Sequence, residues 1–350
     1  MKTLPNGSFL YRNSYAVSSD PATFTLERIG ETAVTIILPD VPNFSVGGRT
    51  AEVVGITSDH AEVVFAIAGK DASDVLRRWL RTYTIATGAT RDVLCPTNHY
   101  SFGYPVIVPG GPYVAYTDYE LNTLELVSTI DGARRSLPLG AGGNPRGTAV
   151  SPDGKTVYVG RSASPYISAF DVPSGLEVAT PLAGAGSAFE GGYQLRMPIT
   201  PDGQYIAYVS SSLATAYVRR VSDGALMFSH YHAQNVRRVT FSADGAHLAV
   251  SRDDAVVRVY RTLDFTLVKT HAADPVHGPG PYAEFAGNDW LSTEADGNYS
   301  GIGAGYDSRM IDALSGVSVF TYAGKFAAAP PLPYAPAPFW TKRMRATEAP

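Results

Sequence analysis

One pattern constrains this chain more than any other: two alternating apolar runs joined by an Asp-Gly pair return along its length. The clearest copy is TAVSPDGKTVYVG at 148–160, followed by ISAFDVPSGLEVATPL at 167–182. It returns as RMPITPDGQYIAYVS (196–210) with AYVRRVSDGALMFSH (216–230), and as RVTFSADGAHLAVS (238–251) with AVVRVYRTLDFTLVKT (255–270). The Asp-Gly pairs at 153/154, 202/203 and 244/245 mark tight hairpins, because glycine supplies the positive φ such a turn requires. The aspartates lie 49 and 42 residues apart, so the loops vary while the hairpin is kept.

Looser copies extend the series to seven units: 8–38, 51–94, 105–139 and 282–322 join the three above. A second turn has its own mark at Asp171 to Gly175, Asp223-Gly224, Asp131-Gly132, Thr87-Gly88 and Ser315-Gly316. Each unit therefore reads as about four short strands, and one such sheet cannot bury both faces alone. Packing the sheets face to face around an axis solves this, which gives an all-β single β-propeller over 1–324, with seven four-stranded blades expected and six or eight the neighbouring counts. The 34 glycines, 25 prolines and only 17% charged residues suit a turn-rich, helix-poor chain, and 45% hydrophobic residues suffice for a large core. One segment, DASDVLRRWLR at 71–81, fits a short helix capped by Ser73 or Asp74 as well as it fits a loop entering a strand. The segment SFLYR is expected to complete the last blade beside VSVFTY.

Residues 151–175, SPDGKTVYVGRSASPYISAFDVPSG, resemble the YVTN repeat of bacterial propellers, and 241–260, FSADGAHLAVSRDDAVVRVY, are similar to WD40 repeats. The Gly-His and Trp-Asp pairs of a WD40 blade are missing. The resemblance implies the fold and little about function, since propellers serve as scaffolds, lectins, lyases and lactonases.

Chemistry-bearing motifs are sparse. There is no Gly-x-Ser-x-Gly elbow, and Cys95, the single cysteine, reads as a buried thiol rather than a partner of His99. His230 and His232 flank Tyr231 at a strand end, where a period of two puts both imidazoles on one face; surface histidines are the plainer reading, a metal pair the sharper one. His271 and His277 lie in a Pro/Gly-rich stretch. The strongest metal motif is Asp296-Gly-Asn298-Tyr-Ser300-Gly followed by Asp307, close to a calcium loop in which Asp296, Asn298 and Ser300 offer side-chain oxygens, Ile302 a carbonyl and Asp307 the last carboxylate. Asp stands where that loop carries Glu, and a Gly-rich loop explains the same letters, so no other cofactor is expected. GIGAG at 301–305 lacks the strand and helix that a phosphate loop needs. Tyr100, Tyr104, Tyr113, Tyr119 and Tyr193 read as packing between blades or as stacking surfaces for sugars.

Past the repeats, 325–350 changes character. AAAPPLPYAPAPFW at 327–340 has five prolines in 14 residues and no charge, and Lys342, Arg343 and Arg345 follow. Such a segment favours an extended polyproline path, a low-entropy arm for a groove on a neighbour. Pro331, Pro333, Tyr334, Phe339, Trp340, Lys342, Arg343 and Arg345 are its expected contacts with other protein subunits.

The net charge of −4 draws no nucleic acid, no run is long enough to span a membrane, and MKTLPNGSFLYRN lacks the apolar core of a secretory signal. Synthesis in the cytoplasm is expected. The resulting expectation is a non-catalytic docking subunit of a larger assembly, a virion component such as a phage tail or capsid decoration being the first named. The alternative is a lactonase-like, lyase-like or glycan-binding propeller with Asp59, His60, Asp118, Asp253 and Asp254 gathered at its channel mouth.

Overall fold

The computed structural model describes residues 2–3, 9–12, 21–27, 34–42, 50–57, 59–70, 76–95, 103–119, 121–140, 143–184, 197–209, 214–252, 254, 256–271, 282–286, 290–294, 307–312 and 318–323. Among these, the strands form seven antiparallel sheets, each a meander in which every strand pairs with its chain neighbours. The first sheet comprises Lys2–Thr3, Phe9–Arg12, Pro21–Glu27 and Val34–Pro42. Thr50–Ile56, Glu62–Lys70, Leu76–Thr84 and Thr90–Cys95 make the second. Gly103–Ile107, Tyr113–Asp118, Thr123–Ser128 and Arg134–Pro138 make the third. The fourth has Pro145–Val150, Thr156–Arg161, Ile167–Asp171 and Glu177–Val178. Three strands form the fifth, Tyr205–Val209, Thr215–Arg220 and Leu226–Tyr231, with Ile199 bridging to Ile206 on the inner side. Val236–Phe241, His247–Arg252, Val257–Arg261 and Leu267–His271 form the sixth, and Tyr282–Ala286, Trp290–Glu294, Asp307–Asp312 and Ser318–Ala323 the seventh.

Burial explains why these runs are strands. In Thr156–Arg161 and His247–Arg252, five consecutive residues are buried, so both faces of the sheet are covered and the sequence reads as a continuous apolar run. Outer strands alternate instead, as in Arg134–Pro138. The covering partners are the neighbouring sheets. Phe24 meets Phe65 between the first and second sheets at 4.9 Å, and further apolar clusters join the second to the third, third to fourth, fourth to fifth and fifth to sixth. Inner strands also touch: Gly103–Ile107 lies against Thr50–Ile56 and Pro145–Val150, Val236–Phe241 against Tyr282–Ala286, and Tyr282–Ala286 against Lys2–Thr3. The arrangement is propeller-like.

The first hairpin turn repeats one hydrogen-bond design four times. Thr57, Ser151, Thr200 and Ser242 each donate a hydroxyl to the aspartate two residues on, at 2.6 Å in every case. Each hydroxyl also accepts the amide of the residue five positions on, at 2.9 to 3.0 Å. The aspartate accepts the amide two further along. Gly154, Gly203 and Gly245 take the left-handed conformation, with His60 in their place in the second sheet.

Two expectations are corrected. Leu76–Thr84 is a strand, so the part of the 71–81 helix reading that lies in described residues, 76–81, is overturned; nine registered pairs with Glu62–Lys70 outweigh the local helical spacing, and 71–75 lie outside the described residues. SFLYR does not pair with VSVFTY: Phe9–Arg12 lies between Lys2–Thr3 and Pro21–Glu27 in its own sheet. Among the described residues no helix is long and apolar enough to cross a membrane.

Candidate functional site

The least satisfied polar cluster among the described residues lies where the fifth sheet meets the sixth. Strand Leu226–Tyr231 is the free edge of the fifth sheet, and alternation turns Phe228 and His230 toward the sixth, with His232 continuing the row. The His232 amide donates to the Ala214 carbonyl at 2.6 Å, which holds the last residue of that row in register. Phe228 packs against Tyr260 at 4.9 Å and Phe265 at 5.4 Å; His230 sits 4.7 Å from His232 and 5.9 Å from Tyr260, all measured between ring centroids.

Two arginines of the sixth sheet complete the cluster. Arg258 approaches His230 with Nη1 2.7 Å from Nε2, so that imidazole nitrogen accepts and carries no proton. Arg252 is buried and donates its Nε–H to Asp254 at 2.9 Å, with a second contact from Nη2. His232 is 1% exposed, and neither ring nitrogen has a hydrogen-bond partner; nor has the buried Nε of Arg258. Leaving such groups unmade costs about 1–3 kcal/mol each. Burial, then Arg258 and Arg252, hold His230 below the ordinary histidine value. Burial first, then His230 and the same arginines, push His232 down to about 4. At neutral pH the cluster is thus two neutral imidazoles beside two guanidiniums, with Asp254 the carboxylate that acts on them among the described residues.

The expected row of imidazoles is present, but His232 is a buried group and not a surface histidine. Arg252 and Arg258 escaped sequence reasoning. A signal existed for the first: Arg161 and Arg252 both stand eight residues after the turn aspartate of their unit. Arg161 is 1% exposed and donates to the Gly140 carbonyl at 3.0 Å and to Ser168 at 3.3 Å.

The groups expected at a channel mouth fall at two kinds of position. Asp59 is held by Thr57 and the Ala61 amide in a first hairpin turn, with His60 beside it. Asp118 and Asp254 lie at the opposite ends of second strands, where Asp118 accepts the Leu121 amide at 2.9 Å and Asp254 pairs with Arg252. Asp253 lies outside the described residues, as do His99, His277, Tyr100 and Tyr193. Of the calcium motif, Asp296, Asn298, Ser300 and Ile302 lie outside them too, and Asp307 opens a strand opposite Ala323. The arm contacts Pro331, Pro333, Tyr334, Phe339, Trp340, Lys342, Arg343 and Arg345 also lie outside the described residues. Among those that are described, no group of three or more His, Cys, Asp and Glu is placed to hold a metal ion. Tyr119 packs between sheets: Arg146 lies over its ring at 5.2 Å and Asn144 donates to its hydroxyl at 2.8 Å.

A cleft of about 510 Å³ opens between the third and fourth sheets, lined by Pro109, Tyr113, Arg135, Asp153 and Pro173 among others. Arg135 lies over the Tyr113 ring at 5.2 Å and donates to the Pro173 carbonyl at 2.9 Å, so the cleft wall combines an aromatic face with a fixed cation.

No protein-family model and no curated protein matches the chain. Among solved structures 1540 chains match. One, described as KlHsv2 with loop 6CD replaced by a Gly-Ser linker, superposes with a TM-score of 0.54 at 12% identity, covering 80% of this chain and 84% of that one. At that identity the likeness is one of fold.

Proposed function

We propose that this chain is a closed seven-bladed β-propeller that serves as a non-catalytic docking subunit of a larger assembly, such as a virion. The ring is supported by the run of inner-strand contacts that ends with Lys2–Thr3 of the first sheet against Tyr282–Ala286 of the seventh. The docking role is carried by one observation: exposed apolar side chains recur along the outer edge of three successive sheets. Leu176 and Val178 lie there in the fourth, Leu226 and Tyr231 in the fifth, and Leu263, Leu267 and Val268 in the sixth; Tyr231 is 71% and Leu263 88% exposed. Single exposed apolar residues are ordinary surface. Recurrence on free strand edges, whose backbone groups accept another strand, favours a protein partner. The arm 325–350 is the second docking element of this reading.

The test is the solution mass of the full chain and of a chain stopped at Gly324, each with limited proteolysis. Self-association of the full chain, or immediate cutting of its arm when isolated, is expected. Leu226→Glu with Leu267→Glu is expected to weaken association without moving the melting temperature. A monomer with a protected arm that turns over a lactone would overturn the reading.

The cleft beside Tyr113 favours a second reading, a ligand- or glycan-binding propeller. On that reading Tyr113→Ala abolishes retention on a sugar matrix that holds the unaltered chain.

A further inference from the structure

Three features of the fold offer binding capacity: the free outer strands, the cleft between the third and fourth sheets, and the histidine–arginine cluster. The first two belong to the readings above. The cluster differs in that buried polar atoms there have no protein partner at all, and a folded chain rarely leaves such atoms unanswered.

We infer that the cluster of His230, His232 and Arg258 binds a small oxyanion, a phosphate or a carboxylate. His230 already spends Nε2 on Arg258, 2.7 Å away. His232, 1% exposed, presents two ring nitrogens with no partner, and Arg258 presents a buried Nε–H in the same condition. A metal cation is disfavoured because two guanidiniums, Arg258 and Arg252, already act on both imidazoles and would repel it. A multidentate acceptor fits better. One oxygen takes the Arg258 Nε–H, a charge-assisted bond, and another takes the ring N–H of His232. Asp254 does not compete, since its carboxylate is engaged by Arg252. The ionisable groups of the cluster among the described residues are thus His230, His232, Arg252, Arg258 and Asp254, with Tyr260 against His230 and beside the Arg258 guanidinium. This inference is separate from the docking proposal: it concerns the buried groups where the edge strand Leu226–Tyr231 meets the sixth sheet, whereas the docking surface uses the exposed Leu226 and Tyr231 of that strand.

The experiment titrates the full chain with inorganic phosphate, with acetate as the carboxylate arm and sodium chloride at matched ionic strength as control. Histidine ring-proton resonances and the melting temperature are read. Saturable movement of the His232 resonance is expected with phosphate or acetate and not with chloride; whichever anion acts at lower concentration identifies the class. A bound oxyanion favours the imidazolium, so the His232 midpoint is expected to rise by about one pH unit, roughly a tenfold change in proton affinity. At about ten times its dissociation constant the anion is expected to raise the melting temperature by about 2 °C. Arg258→Gln removes the response, and His232→Gln provides a second variant should the first fail to fold. An unsaturable response, one equalled by chloride, or one retained in both variants overturns the inference and leaves water as the occupant.

Discussion

Gly140 and Gly154 share a left-handed backbone, at φ +62 and +71, yet they answer to different constraints. A Cβ added at Gly140 meets nothing within 4 Å, whereas one at Gly154 falls 2.0 Å from the Pro109 carbonyl oxygen of the preceding sheet. Gly140→Ala is therefore expected to cost about 1 kcal/mol of conformational strain, and Gly154→Ala about 3 kcal/mol, because backbone must move as well. Urea unfolding of the two variants checks the difference. Phe265 presents the converse case. It adopts φ 55 where the equivalent turns carry Gly88, Gly132, Gly175 and Gly224, and its ring packs on Phe228. Phe265→Gly relieves the backbone by about 1 kcal/mol but gives up that packing, for an expected net loss of about 2 kcal/mol. The turn aspartates Asp59 and Asp153 sit below the ordinary carboxylate value because the Thr57 and Ser151 hydroxyls bond to their charged forms. Their contribution is present at neutral pH and is lost as pH falls through the depressed values.

At the scale of elements, ion pairs between strands differ in which charge is left behind when one is cut. Arg81 reaches from the second sheet to Asp40 of the first and also pairs Asp92 at 2.6 Å, but the two carboxylates are 56% and 45% exposed and water can reclaim them. Glu125 is fully buried, accepting Thr123 and Ser136 hydroxyls and the Arg134 Nε–H, each at 2.5 Å. Arg134→Ala is thus expected to cost about 3 kcal/mol and Arg81→Ala about 1 kcal/mol, as read from urea unfolding. His232, just past the edge strand Leu226–Tyr231, carries a further pH effect. Its folded value near 4 lies below the ordinary 6.5, so as pH falls the unfolded chain takes the proton first. Stability is level above pH 6.5 and declines toward pH 4, by about 3 kcal/mol at the limit. In phosphate-free buffer, His232→Phe is expected to flatten that decline, as read from melting temperatures across the range.

Over the whole molecule, each sheet depends on its neighbours, because middle strands such as Thr156–Arg161 are buried on both faces. Among the described residues, each apolar cluster is shared between two neighbouring sheets. Deleting residues 1–12 removes two strands of the first sheet together with the contact to Tyr282–Ala286. The expected result is a broadened, less cooperative calorimetric transition and binding of an apolar dye, whereas a sharp unshifted transition would show that the inner contact does not close a ring.

Much of this was legible in the sequence because it is local. The Asp-Gly turns, the strand runs and the division into units follow from backbone conformation and a period of two, which neighbouring residues decide among themselves. The shared face of His230 and His232 follows from the same period. Contacts between sheets were not legible: that His232 is buried, that Arg258 from the next unit faces His230, and that Asp40 meets Arg81 depend on partners tens of residues away. Nor was the strand at Leu76–Thr84, where pairing on both sides overrode a helical spacing. The sequence by itself determined the turns, the strands and the repeat; the tertiary structure alone decided which charges and rings face one another across the sheet junctions, because burial and Coulomb energy depend on distance in space and not along the chain.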